Sequence, residues 1–131
     1  MIPLCREDNI AIIPWSPLAR GFLVGNRKAP NKGATTRSKT DDFAGKLYYQ
    51  PEDFAIVEQV TALAGARGVN NAQIALAWVL AQPGITAPIV GATRMPHLDD
   101  ALAALALELT PAEMKALEAP YKPHSVLGIT F

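Results

Sequence analysis

Residues 9–15, NIAIIPW, and residues 86–90, TAPIV, limit more than any other feature how this chain can fold. The first holds four consecutive apolar residues, three of them isoleucine, between Asn9 and Pro14. It reads as a short strand buried on both faces, the habit of parallel sheets. The second follows the turn pair Pro83-Gly84 and reads the same way. Two parallel strands joined by a long crossover form a right-handed βαβ unit. Such a two-stranded sheet leaves both outer edges apolar and unpaired, so something must cover them. The cover is the rest of a longer protein, a second copy of the chain, or repacked helices.

The segments around these strands are helical in pattern. Residues 2–8 read as the end of a helix. From Pro51 the positions Ile56, Val60 and Leu63 fall at i, i+4 and i+7, with Glu52 and Asp53 in a first turn where acids suit the helix dipole, and Gly65 and Gly68 mark the stop. Asn70 with Gln73 resembles an N-cap and its partner, opening a helix over 71–82 that is apolar around nearly its whole circumference and must pack on several sides. Trp78 sits in that helix among aliphatic residues and is expected in the core. A further helix from about Pro96 carries Leu98, Leu102 and Leu105 on one stripe. Thr110 and Glu113 form a capping box with Pro111 at the first helical position, ahead of Met114 and Leu117. The expected fold is therefore α/β, with two short parallel strands and about four helices. No internal repeat is present, and residues 121–131 show no strong pattern.

A chain of 131 residues, half of them hydrophobic, buries roughly two-thirds of its unfolded surface, which suits one globular unit and not several. Its 12 basic and 12 acidic residues cancel, yet residues 1–50 hold eight of the basic ones and residues 51–131 eight of the acidic ones. The basic excess falls mainly in a long loop at 20–46, rich in Gly, Asn, Thr and Ser. Aromatic residues occur only at its ends, which disfavours nucleic-acid binding. It reads as a solvated loop or as one that attracts a small anionic ligand. A single cysteine, Cys5, excludes a disulfide framework and a multi-cysteine metal site; with no histidine nearby, it reads as a buried inert thiol. No run approaches the ~18 apolar residues of a membrane span, and the start lacks the order of a signal peptide. A cytoplasmic location is expected, with no membrane, metal or nucleic-acid partner.

Two strand exits carry the chemistry. Trp15-Ser16-Pro17-Leu18-Ala19-Arg20-Gly21-Phe22-Leu23 leaves the first strand, and Gly91-Ala92-Thr93-Arg94-Met95-Pro96-His97-Leu98-Asp99-Asp100 leaves the second. In parallel α/β architectures ligands gather at the carboxyl ends of strands. The second exit joins a small-residue turn to a helix start, with Arg94 and His97 about one turn apart, and backbone amides with a guanidinium suit a phosphate.

IPWSPLARGFL and IVGATRMPHLDDAL resemble the last two strand-to-helix exits of the NADP-dependent aldo-keto reductases. GVNNAQIALAWVLAQP is similar to the helix that joins them in bacterial members. The resemblance covers roughly residues 1–120 and implies the C-terminal part of a TIM (β/α)8 barrel, present here as an incomplete barrel. It implies that Trp15 stacks on the nicotinamide of NADP(H) and that Ser16, Pro17, Leu18, Gly21 and Leu23 line the pyrophosphate. It further implies that Gly91, Ala92, Thr93 and Arg94 receive the adenosine 2′-phosphate. His97 stands where the family often has Arg or Gln, and Asp100 falls at an acidic position near the adenine. Ala101 departs from the pattern, since many members carry Asn there against the adenine edge.

The family's catalytic tyrosine, lysine, aspartate and histidine belong to barrel segments that precede this one. Tyr48, Tyr49, Tyr121, His97 and His124 match none of them, so no catalytic residue is assigned. The resemblance thus implies a carbonyl oxidoreductase of which this chain is a truncated, cofactor-binding part, inactive alone. Two alternatives stay open. One is a non-catalytic module that self-associates or docks on a partner through its strand edges, its cofactor motifs being relics. The other is a binder of another phosphorylated ligand through Arg94.

Overall fold

The computed structural model describes residues 1–25 and 47–123. Residues 26–46 of the expected basic loop, and His124, lie outside the described residues. Five α-helices occur among those described: α1 (Ile2–Glu7), α2 (Pro51–Arg67), α3 (Asn71–Leu80), α4 (Met95–Ala103) and α5 (Pro111–Glu118). Short 3-10 turns fall at Ala19–Gly21 and Ala104–Ala106.

The helix ends follow their capping chemistry. Asn70 Oδ1 accepts the Gln73 amide at 3.0 Å, opening α3. At α5 Thr110 Oγ1 accepts the Glu113 amide at 3.3 Å while Glu113 Oε2 accepts the Thr110 amide at 2.7 Å. The α5 pair is the capping box its spacing predicts, whereas at α3 the cap bond forms without its reciprocal, the Gln73 side chain donating to Asp100 instead. Helix α2 runs through Gly65 and stops at Gly68, where φ is 66°. Gly65 is therefore interior, contrary to the expected stop. A helix-interior glycine costs only ~1 kcal/mol, and buried Ala64 beside it anchors the continuing turn. At Gly68 a Cβ would meet nothing within 4 Å. Gly68→Ala is consequently expected to cost about 1–2 kcal/mol through left-handed backbone strain alone. A thermal melt superposable on that of the parent would contradict this.

Helix α2 packs on α3 and α5, and α3 on α4. The core joins Val60 and Ala64 of α2, Ile74 of α3 and Leu117 of α5, with Ile56, Leu63, Leu107 and Leu109 partly buried around it. Trp78 is half-buried at the core's edge, and its indole Nε1 donates to Glu118 Oε1 at 3.1 Å. An indole N–H needs a partner when it leaves water, and the core offers none, so the ring sits where a carboxylate can reach it. The leucine stripe of α4 does not form core. Leu98, Leu102 and Leu105 are 42%, 57% and 66% exposed, and the buried residue of this segment is Ala104.

The two expected parallel strands are absent as regular strands among the described residues. In their place stands a single parallel bridge, Ile12 to Ile85, with the Thr86 amide donating to the Ile12 carbonyl at 2.8 Å. The reason lies in the prolines. In that register the next donors along the two chains are the nitrogens of Pro14 and Pro88, and neither carries a hydrogen. The Pro14 carbonyl is taken instead by the Ile89 amide at 2.9 Å, one residue out of register. The two segments still run side by side in the expected parallel sense.

An ion pair ties α2 to α5. Arg67 Nε and Nη2 donate to Glu113 Oε1 and Oε2 at 2.7 and 2.6 Å, and Nη2 also reaches the Glu108 carbonyl at 3.0 Å. The Arg67 guanidinium, aided by the Thr110 amide and hydroxyl, holds the Glu113 carboxyl down at about 2, against 4.5 for an ordinary glutamate. A depressed carboxyl stabilises the fold above its unfolded value and ceases to do so as pH falls through its folded value. Melting temperature is therefore expected to fall as pH drops from 4.5 to 2, with a shallower fall in Glu113→Gln. Parallel profiles for the two proteins would contradict the assignment.

Candidate functional site

The parallel segments deliver their exits to one end of the fold. The Ile89-to-Pro14 hydrogen bond lies one residue before Trp15 and two before Gly91, so the exits start side by side. The Trp15 side chain is exposed, at 63%, which for a large indole leaves a face open to a planar ring.

The first exit follows a strained path. Ser16, Ala19 and Arg20 have φ of 52°, 47° and 56°, and Gly21 follows at 86°. Left-handed backbone at non-glycine residues costs of order 1–3 kcal/mol each and concentrates at ligand sites. The turn satisfies much of its own backbone: the amides of Ala19, Gly21 and Phe22 donate to the carbonyls of Ser16, Leu18 and Ala19, and the Leu23 amide returns to Leu18 at 3.3 Å. Among the described residues the Ser16 and Leu18 amides enter none of these bonds. Phe22, 2% exposed, ends the turn as an anchor. Its ring lies 5.2 Å from those of Tyr49 and Phe54, both edge-on, and 6.0 Å from that of Tyr48, stacked.

The second exit, Gly91 to Arg94, is exposed throughout. A Cβ at Gly91 would meet nothing within 4 Å, so the turn borders open space. Arg94 is the N-cap of α4, in extended conformation, with no side-chain cap. Cations are disfavoured at a helix N-terminus unless an anion compensates them. Thr93 Oγ1 and His97 Nδ1 stand 3.4 Å apart across the first turn, and the His97 amide donates to the Arg94 carbonyl at 3.1 Å. A hydroxyl, an imidazole and a guanidinium therefore share one helix start. Asp100 lies further along α4, half-buried, with Oδ1 accepting from Asn70 Nδ2 at 2.6 Å and Gln73 Nε2 at 2.9 Å.

A family model described as the aldo/keto reductase family matches residues 1–122. The chain belongs to that family. Versiconal hemiacetal acetate reductase of Aspergillus parasiticus is 38% identical over 129 residues, which cover 96% of this chain and 36% of that protein. The glycerol dehydrogenase of Gluconobacter oxydans superposes with a TM-score of 0.70 at 23% identity, over 92% of this chain and 36% of the other. A thermostable aldo-keto reductase in complex with the inhibitor epalrestat does so with a TM-score of 0.61, also at 23% identity, over 92% and 33%. These structures share the fold, that of the aldo-keto reductase barrel. This aldo/keto reductase chain spans about a third of the length of the relatives it matches.

The fold starts the two exits side by side, but sequence reasoning missed the contacts that support each of them. Asn71 Nδ2 donates to the Leu23 carbonyl at 3.3 Å and to Thr61 Oγ1 at 2.8 Å. Phe22 and its aromatic neighbours were equally unmarked. The adjacent asparagines at the start of α3 were the available signal, since a single N-cap uses only one of them. No group of three or more His, Cys, Asp and Glu that could hold a metal occurs among the described residues, and none of their helices is long and apolar enough to cross a membrane.

Proposed function

We propose that this segment is the NADP(H)-binding part of a carbonyl oxidoreductase of the aldo/keto reductase family. The observation that supports the reading is the Ile89-to-Pro14 hydrogen bond, from which one exit leads to an exposed indole and the other to a cationic helix start. The residues present fit the cofactor: the Arg94 guanidinium and the Thr93 hydroxyl at the start of α4 offer donors that a 2′-phosphate needs. Trp15 offers a ring to the nicotinamide; Ser16, Pro17, Leu18, Gly21 and Leu23 border the pyrophosphate path; Gly91, Ala92 and His97 flank the phosphate turn. Asp100 belongs on the adenine side. When bound, NADPH supplies the hydride that reduces a carbonyl, and this chain's part is to seat and orient it.

The proton donor and its supporting residues come, in this reading, from the rest of the barrel. The 131-residue chain alone is therefore expected to bind NADPH without oxidising it in the presence of 4-nitrobenzaldehyde. Saturable NADPH consumption by the chain alone would contradict this assignment. A cytoplasmic setting, suggested by the lone cysteine, belongs to the same reading.

The exposed leucines favour a second reading. Leu98, Leu102 and Leu105, with Ile13 and Ile89, present exposed apolar surface that, in this reading, a barrel wall would cover. Without that wall the chain becomes a self-associating or partner-docking module. Light scattering that gives one monomeric mass across a wide concentration range would exclude self-association.

A further inference from the structure

We infer that Asn70 and Asn71 are positioning residues that set the separation between the two halves of the cofactor seat. The inference rests on the cofactor reading above and adds a device to it. Asn71 reaches the first exit: its Nδ2 donates to the Leu23 carbonyl at 3.3 Å and to Thr61 Oγ1 of α2 at 2.8 Å. The backbone passes close against it, since a Cβ at Gly25 would lie 2.8 Å from Asn71 Nδ2. Asn70 reaches the second exit through α4. Its Oδ1 is used to cap α3, while its Nδ2 and the Gln73 Nε2 donate together to Asp100 Oδ1 at 2.6 and 2.9 Å.

Asp100 lies on the helix that Arg94 opens, three residues beyond His97. Two adjacent side chains at one helix start therefore hold one exit each. A carboxylate that accepts two amide donors is held more firmly than by a neutral pair, and it fixes the rotation of α4 and with it the direction of Thr93 and Arg94. The division of labour has a consequence for selectivity. Disturbing the Asn71 arm shifts the pyrophosphate and nicotinamide path, which NADPH and NADH share. Disturbing the Asn70 arm shifts the phosphate turn, which only NADPH uses, as well as the adenine side, which both share, so NADPH loses more.

The test is equilibrium binding of NADPH and of NADH to the full chain, followed by tryptophan fluorescence. Asn70→Ser keeps a hydroxyl to cap α3 but is too short to reach Asp100. It is expected to raise the Kd for NADPH about five- to tenfold, the scale of one lost hydrogen bond, and the Kd for NADH by a clearly smaller factor. Gln73→Ala, which keeps the cap and removes the other donor to Asp100, shifts the same ratio by a smaller factor. Asn71→Ala is expected to weaken both cofactors alike. A stabilising role confined to helix packing would lower the melting temperature of Asn70→Ser and Gln73→Ala with no change in the NADPH to NADH ratio, and that result overturns the inference. Asp100→Ala weakening NADPH and NADH equally, with Asn70→Ser adding to it, would overturn it as well. Arg94→Ala separates the two levels. An unchanged ratio in Arg94→Ala refutes the cofactor reading itself, whereas a changed ratio there with none in Asn70→Ser refutes the positioning role alone.

Discussion

Replacing Arg94 by alanine is expected to weaken NADPH binding by about ten- to a hundredfold while leaving NADH binding nearly unchanged. Hydrogen bonds to a charged partner are worth about 1.5–3 kcal/mol, and each 1.4 kcal/mol is a factor of ten in affinity. The basis is the placement of Arg94 as the N-cap of α4 without a side-chain cap, beside Thr93 and His97. A helix start of this kind already favours an anion, and the guanidinium there is stabilised only when one is present. Arg94→Lys should recover part of the loss, since a point charge replaces the fork but not its geometry. Titration of the variants with both cofactors checks this. A loss shared equally by NADPH and NADH would show that Arg94 acts on something other than the 2′-phosphate.

The second large effect is expected at Phe22. This side chain is 2% exposed and packs among Tyr48, Tyr49 and Phe54 at ring separations of 5.2–6.0 Å. Phe→Ala in such a setting costs about 3–5 kcal/mol from lost burial and the cavity that remains. Edge-on aromatic pairs add about 0.5–1.5 kcal/mol beyond their area. Small domains are stable by only about 5–15 kcal/mol, so Phe22→Ala takes a large share of that margin. Phe22 also anchors the end of the strained 16–21 turn, where Ser16, Ala19 and Arg20 keep left-handed backbone. Loosening the anchor lets those residues relax, so cofactor affinity should fall together with stability. Phe22→Leu, which fills most of the volume, should retain most of both. Urea unfolding and NADPH titration of the pair of variants check the coupling. Undiminished stability in Phe22→Ala would contradict the packing described.

Much of this fold was legible because its signals are local. Asn70 with Gln73 and Thr110 with Glu113 are pairs three residues apart, and their hydrogen bonds depend on backbone geometry that a helix start supplies anyway. The apolar period of α2 likewise predicted a helix, and Val60 on that stripe lies in the core. What failed depended on partners. NIAIIPW and TAPIV carry the composition of buried strands, yet a ladder needs donors in register, and Pro14 and Pro88 remove them at the positions the Ile12–Ile85 bridge calls for. The stripe of Leu98, Leu102 and Leu105 is an amphipathic pattern that stays exposed among the described residues, and periodicity alone does not say what covers it. Gly65 looked like a stop because composition cannot weigh the burial of Ala64 beside it.

The candidate site was legible by a different route. Periodicity and composition led only to parallel strands with a possible anion site, and the resemblance in residues 15–23 and 91–100 supplied the roles. The supporting contacts were invisible to both. Asn71 and Leu23 are 48 residues apart in sequence, and Asn70 and Asp100 are 30 apart. Such pairs follow from the packing of α3 against its neighbours and leave no local pattern.

The most direct test of the cofactor assignment is tryptophan fluorescence of the chain titrated with NADPH and NADH, with Trp15→Phe as control. Trp15 is exposed at the site, whereas Trp78 is half-buried and bonded to Glu118, so the two report separately. Saturable quenching that prefers NADPH and disappears in Trp15→Phe is the predicted result. Quenching that persists in Trp15→Phe, or no preference between the two cofactors, would contradict it.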